Sequence, residues 1–442
     1  MPLAGLVPPA ASYGFKVIYE KGMEGTIGLM RKKFIARTSV LAFLMSLSLA
    51  GNASAYVVAK GVTPTVSGPA VSSASTDASQ VTAPVTVTAP TASTSAAAGG
   101  TAGPGFGSGT GTGSVTDIAG ASGVLLPSNF YCSNVVTYTY MMMVQDLGLM
   151  QQQYPSMKLD TIGTTPDGRA LYHVIVGNPN AKHKILVHGG MHAREYISSQ
   201  LVMREIASLL EMQKQGTSYK GCSIAQLLET TCIHFVPMVN PDGISLVQSG
   251  LAGIQTQAGL QSVQSILQMN QVSAEGQADF FHKWKNNIRG VNLNRNFDAN
   301  WALAPQTIAY PSNMKYKGTS AESEPESKAL ANLTRSVMPD RTISYHTQGH
   351  VIYWKFGDGA YLTEGQNFVN LVHQDTGYMI DDAYYPNDAG GYKDWTVLVL
   401  GIPSVTIEVG YGTSPVPESQ INNIWAENQK ILPDTMIDLY LK

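Results

Sequence analysis

Charge is scarce in this chain. Only 13% of its 442 residues are Asp, Glu, Lys or Arg, and the formal net charge is −3. The strongly basic balance that attracts nucleic acid is missing, so nucleic acid is not expected as a partner. Cysteine is scarcer still, with Cys132, Cys222 and Cys232 making up all three. An odd, widely spaced set excludes a disulfide framework and matches no close-spaced metal pattern. Cys222 and Cys232 lie near enough in sequence for one disulfide if the protein is exported, although reduced or buried thiols are the plainer reading. The apolar core at Val40–Ala50 is shorter than the about 20 residues a membrane span needs.

That short core has a telling context. Arg31, Lys32 and Lys33 precede it, and Ala53-Ser54-Ala55 follows. A basic start, an apolar centre and a small-residue end make up a secretory signal peptide, so residues 30–55 are expected to be one, with cleavage after Ala55. An uncleaved anchor is the alternative; after cleavage no stable membrane span is expected. Such signals open a chain, so translation is expected to start at Met30, with residues 1–29 not translated or not structured. Residues 56–125 are dominated by Ala, Ser, Thr, Val and Gly and carry no aromatic between Tyr56 and Phe106. Too little apolar surface is available there to offset the entropy of ordering, so a disordered tether is expected.

From Leu126 onward the composition becomes globular, and residues 126–442 read as one domain. "YTYMMMVQDLGLMQQQYP" has a helical pattern closed by Pro155, with the three methionines expected in its core. Four short dense runs, "KILVH", "CIHFVPMVN", "RTISYHTQG" and "IPSVTIEVG", read as strands buried on both faces. After Glu195, apolar residues at Ile197, Leu201, Val202, Ile206, Leu209 and Leu210 mark one face of an amphipathic helix that stops near Gly216. "SEPE" at 323–326 reads as a capping box opening a further helix, and the Gln-rich stretch 248–276 as a helical insertion. The expected fold is α/β, a mixed and mostly parallel twisted sheet with helices on both faces.

The stretch "HGGMHAREY", His188 to Tyr196, then falls at the seam between a strand end and a helix start, where open α/β sheets place ligands. His192 and Glu195 are three apart, which brings both side chains to one side of a turn. An imidazole nitrogen with a carboxylate oxygen suits Zn²⁺, and a catalytic zinc needs a third protein ligand. Alone this pair is common, and a helix-capping Glu beside a surface His is then the favoured reading by several to one.

The accompanying phrases change the weight of that pair. "FVPMVNPDG", "WKNNIRGVNLNRNFDANW", "SYHTQGHVIYW", "AGGYKDW" and "TIEVGYG" follow it in order. Together they closely resemble the zinc carboxypeptidase family of the carboxypeptidase A type, from about Leu126 to the C-terminus. "HGGMHAREY", "WKNNIRG", "YHTQG" and "GYKDW" look most like its bacterial branch, which includes γ-D-glutamyl-diaminopimelate peptidases acting on cell-wall stem peptides.

Carried over residue by residue, the resemblance makes His192, Glu195 and His346 the ligands of one Zn²⁺ and Glu408 the general base. It makes Arg194, Asn294 and Arg295 substrate contacts, the arginines suited to carboxylates by their planar forks. Several positions depart from the pattern. Lys285 follows Trp284 where the digestive enzymes place an oxyanion-stabilising arginine, so Lys285 or nearby Arg289 is expected in that role. Asn292 stands where the family often has an aspartate behind a zinc-bound histidine. The mobile tyrosine is replaced by Pro386, with Tyr385 as a substitute. Lys393 occupies the specificity position, which implies a carboxylate-bearing side chain after the cut. His188, His183 and His350 carry no role in this reading.

The implied activity is a secreted or cell-wall-associated zinc peptidase acting on a peptide or a peptidoglycan stem peptide. Two alternatives stand beside it: an ordinary carboxypeptidase releasing C-terminal acidic residues, and a catalytically inactive peptide- or wall-binding module.

Overall fold

A computed structural model describes residues 126–304, 307–357, 359, 361–383, 385 and 389–442. The expected signal peptide (30–55), the tether (56–125) and the segment 1–29 lie outside the described residues.

Eight strands form one sheet. They are β1 (Lys158–Thr164), β2 (Ala170–Val176), β3 (His183–His188), β6 (Thr231–Val236), β7 (Arg341–His346), β8 (Val351–Tyr353), β9 (Met379–Asp381) and β10 (Ser404–Glu408). The two remaining strands, β4 (Ser218–Tyr219) and β5 (Cys222–Ser223), make a small separate hairpin. The sheet order is β1-β2-β6-β3-β7-β10-β8-β9. The four central strands, β6, β3, β7 and β10, run parallel, and antiparallel pairings begin where β2 and β8 join them. The sheet is thus mixed with a parallel centre. Those central strands are the dense apolar runs of the sequence, and β3 and β7 are buried along almost their whole length, as strands covered on both faces must be.

The helix Ile197–Lys214 follows "HGGMHAREY" as expected, but its polar side is buried as well as its apolar one. Every residue from Ile197 to Leu210 is buried, among them Ser198, Gln200, Arg204 and Glu205. The reason is distant in sequence. Segment 132–134 lies over the polar side, where the Arg204 guanidinium donates to the carbonyls of Cys132, Ser133 and Asn134 and reaches the side chain of Asn422. Burial lowers the Arg204 pKa to about 10, and these oxygens replace the water it loses.

Two further expectations need correction. The capping box at "SEPE" does not form. The helix Pro325–Val337 starts after Glu324 without a side-chain cap of its own. Asn296 Oδ1 accepts the Glu324 N–H (3.1 Å) and the Ser327 hydroxyl (2.5 Å), and Glu326 turns inward to Asn287. Of the three methionines expected in a helix core, only Met143 is fully buried and Met141 is exposed. Cys222 and Cys232 are free thiols, with Cys232 Sγ 3.6 Å from His234. The Gln-rich insertion, residues 248–276, is helical as expected over Gln257–Met269.

The candidate active site

The carboxyl ends of the parallel strands carry the site. His346 is the last residue of β7 and Glu408 the last of β10, and the two are direct partners in the parallel register. β3 ends at His188, and the chain then turns through Gly189 and Gly190 into a short 3₁₀ turn, Ala193–Glu195. A side chain at Gly189 could not fit, since its Cβ would meet the Ser198 carbonyl at 2.7 Å. The close approach this permits lets strand end and helix start pack together and brings His192 and Glu195 back over the sheet edge.

His192, Glu195 and His346 are all buried, and their ligand atoms lie within 4.8 Å of one another. His192 Nδ1 is 3.0 Å from both Glu195 oxygens and 3.0 Å from His346 Nδ1, which is 2.8 Å from Glu195 Oε2. Two imidazole nitrogens and a carboxylate facing one point suit a divalent cation. The protonation states agree. Burial pushes the His192 imidazole down to about 3, against the pull of Glu195, so it is neutral. Burial opposes the charge on Glu195, yet His192, Lys285 and the hydrogen bonds of both histidines hold its carboxyl well below the usual range.

The orientation of His192 is also determined. Its Nε2 stands 3.1 Å from Asn292 Oδ1. The same oxygen accepts the Asn294 backbone N–H at 3.1 Å, which only an oxygen can do. The His192 proton therefore sits on Nε2, and the Nδ1 lone pair points to the metal position. These residues fit zinc.

Glu408 faces the same point from β10. Burial and the neighbouring Glu195 charge raise its pKa to about 7, while His346, Lys285 and Arg194 work the other way. A cavity of about 520 Å³ opens in front of it, lined on one side by His192, Lys285, Asn292, Asn294 and Arg295. Lys285 Nζ is 3.7 Å from Glu195 Oε1. Arg194 lies beside Glu408 with a buried Nε that has no hydrogen-bond partner among the described residues. Asn294 Oδ1 accepts the Tyr392 N–H at 2.9 Å, and Arg295 Nη1 donates to the Asn294 carbonyl at 2.6 Å.

Tyr385 and Lys393 line the far side of the cavity. Tyr385 is 53% exposed, and its hydroxyl is 3.5 Å from Asp381. Lys393 is mostly buried. Its ammonium pairs with Asp394 at 2.5 Å and donates to the Lys355 carbonyl at 3.0 Å. Its charge is thus committed within the protein. Arg289 is the one expected site residue that the fold takes elsewhere. Its backbone N–H turns onto Asn287 Oδ1, and its half-exposed guanidinium reaches toward Glu324 (3.9 Å), outside the cavity wall. Of the residues given no role, His188 is wholly buried with Nε2 2.8 Å from the Ser344 hydroxyl, and His350 stacks on Tyr378.

Comparison with known proteins agrees with this geometry. Residues 143–431 match the model of the zinc carboxypeptidase family. The chain belongs to that family. A γ-D-glutamyl-L-diamino acid endopeptidase 1 of Lysinibacillus sphaericus is 32% identical over 66% of this chain and 70% of its own length. Human carboxypeptidase O is 25% identical over 64% of this chain and 73% of its own. Bovine thrombin-activatable fibrinolysis inhibitor shares the fold, with a TM-score of 0.54 at 19% identity over 69% of this chain and 98% of that one. The protein is therefore a zinc metallopeptidase.

Sequence reasoning missed part of the cavity. Thr406, Tyr353 and Asp381 are direct partners across β10, β8 and β9, and all three line it, as does Lys355. The alternation of "VIYWK" after the "YHTQG" motif, with Tyr353 and Lys355 two apart, was the available signal.

Proposed function

We propose that this protein is a secreted peptidase that cleaves the bond between a γ-D-glutamyl residue and a diamino acid in cell-wall stem peptides. The observation that carries this reading is the buried cluster of His192, Glu195 and His346, with His192 and Glu408 both lining a cavity walled by cations and carboxylates. The printed activity of the 32% identical relative supports the substrate class, and the signal-like segment 30–55 supports secretion.

His192, Glu195 and His346 would hold the zinc, which when bound would supply a Lewis acid and lower the pKa of water toward neutrality. Glu408 accepts the proton of the attacking water and passes it to the leaving amine. A carboxyl with a pKa near 7 can do both, since it is neither too weak a base nor too weak an acid. Lys285 stabilises the negative charge that develops on the carbonyl oxygen. Arg194, with its unpartnered buried Nε, holds a carbonyl next to the cut, and Arg295 and Asn294 hold the carboxylate of the residue after it. Tyr385 closes the outer side.

Incubation of the zinc-loaded protein with purified muropeptides and with peptides ending in Glu, followed by mass spectrometry, tests the reading. Release between γ-D-Glu and the diamino acid, absent with Glu408→Gln, is expected. Cleavage of the Glu-terminated peptides alone would replace it by an acidic-residue carboxypeptidase. For secretion, N-terminal sequencing of the exported protein is expected to begin at Tyr56; an exported chain beginning at Met1 would overturn the proposal.

A further inference from the structure

The position that usually reads the side chain after the cut is filled by Lys393, but that charge is already paired with Asp394. A cation bound at 2.5 Å to its own carboxylate, and only 11% exposed, has little attraction left for a substrate anion. The cavity contains a second lysine whose situation differs. Lys355 lines the wall, is half-buried, and has no carboxylate partner among the described residues.

Its place follows from the sheet. Thr406, Tyr353 and Asp381 form one row across β10, β8 and β9, so their side chains leave the same face. Lys355 lies two residues past the end of β8 and lines the same cavity as this row. The row starts two residues before Glu408 and ends at Asp381. A cation and a carboxylate thus line the same cavity as Glu408. Asp381 is braced rather than neutralised. Its Oδ1 accepts the Ala383 N–H at 2.8 Å, its Oδ2 lies 3.5 Å from the Tyr385 hydroxyl, and no cation pairs with it among the described residues.

We propose that Lys355 and Asp381 together recognise a zwitterionic end group on the side chain of the residue after the cut. Lys355 takes a carboxylate and Asp381 an ammonium. A side chain ending in both, as in diaminopimelate, satisfies the pair. Lysine satisfies only Asp381, and 2-aminopimelate, which has the distal carboxylate without the amine, satisfies only Lys355. This inference rests on the peptidase reading above and deepens it, by assigning specificity to two residues that neither the family pattern nor the position of Lys393 indicates.

Three γ-D-glutamyl peptides test it, carrying diaminopimelate, lysine or 2-aminopimelate at the residue after the cut. The zinc-loaded protein, Lys355→Met and Asp381→Asn are each assayed for kcat/KM on all three. The unaltered protein is expected to favour diaminopimelate over both others by about tenfold, the worth of one charge-assisted contact. Lys355→Met is expected to abolish the diaminopimelate-over-lysine preference and keep that over 2-aminopimelate. Asp381→Asn is expected to do the reverse. Lys355→Arg, which keeps the charge, is expected to retain the first preference, and zinc content and melting temperature report folding. Turnover with ratios that move less than twofold in both variants overturns the inference and leaves the peptidase reading standing. Absence of turnover of all three peptides by the zinc-loaded protein overturns both.

Discussion

His192 Nε2 lies 3.1 Å from Asn292 Oδ1, a hydrogen bond between a buried metal-facing imidazole and a neutral amide. The amide fixes the ring's tautomer but adds no charge to make the ligand more basic. Asn292→Asp supplies that charge and is expected to tighten zinc binding, whereas Asn292→Ala is expected to weaken it by about 10–100-fold. Chelator competition measures both. Unchanged or weaker binding by Asn292→Asp would show that the amide's orientation, not its charge, sets the affinity.

Glu408 lines the same cavity as the proposed ligand His192 without belonging to the ligand set. Glu408→Gln keeps the size and removes the proton acceptor. Zinc content is expected to stay at one per chain while kcat falls by at least about 10²-fold, the usual contribution of a positioned general base. Metal analysis beside single-turnover kinetics separates these effects. Loss of zinc from the variant would place Glu408 among the ligands.

Much of this site was legible in the sequence because its residues close recognisable local elements. His346 and Glu408 end short apolar runs that could only be central strands, and "HGGMHARE" had to turn from a strand into a helix. What stayed hidden depends on long-range register. Lys355 and Asp381 line one cavity only because β8 and β9 pair beside β10. The burial of the helix Ile197–Lys214 depends on segment 132–134 and Asn422, and the cap of the helix Pro325–Val337 comes from Asn296. Arg289 misled for a local reason, since nothing in "WKNNIRG" shows that Asn287 turns its backbone away.

Lys285 and Arg289 were equivalent candidates for the oxyanion until the fold separated them. Lys285 Nζ is 3.7 Å from Glu195, inside the cavity, while Arg289 points toward Glu324. Lys285→Met is expected to lower kcat by about 10²–10³-fold with a smaller change in KM, as for loss of a group acting on the transition state. Arg289→Ala is expected to change kcat/KM by less than about threefold. Steady-state kinetics on one stem peptide decides, and the opposite ranking would reassign the role to Arg289.

Glu205 is buried, and its Oε1 accepts the hydroxyl of Tyr345, the neighbour of His346, at 2.6 Å, while Oε2 has no hydrogen-bond partner among the described residues. Burial raises its pKa to about 8, against the help of Tyr345. The folded protein therefore keeps this proton over a range in which the unfolded chain, titrating near 4.5, has lost it. With more protons bound by the native state, stability is expected to fall as pH rises from about 4.5 to about 8, with a slope of up to about 1.4 kcal/mol per pH unit. Glu205→Gln keeps the shape and the acceptor for Tyr345 but cannot ionise. Urea unfolding at several pH values is expected to show a flatter profile for Glu205→Gln and a higher stability than the parent at pH 8. Parallel profiles for the two proteins would mean that Glu205 is ionised in the native state, with a counter-charge supplied by movement around it.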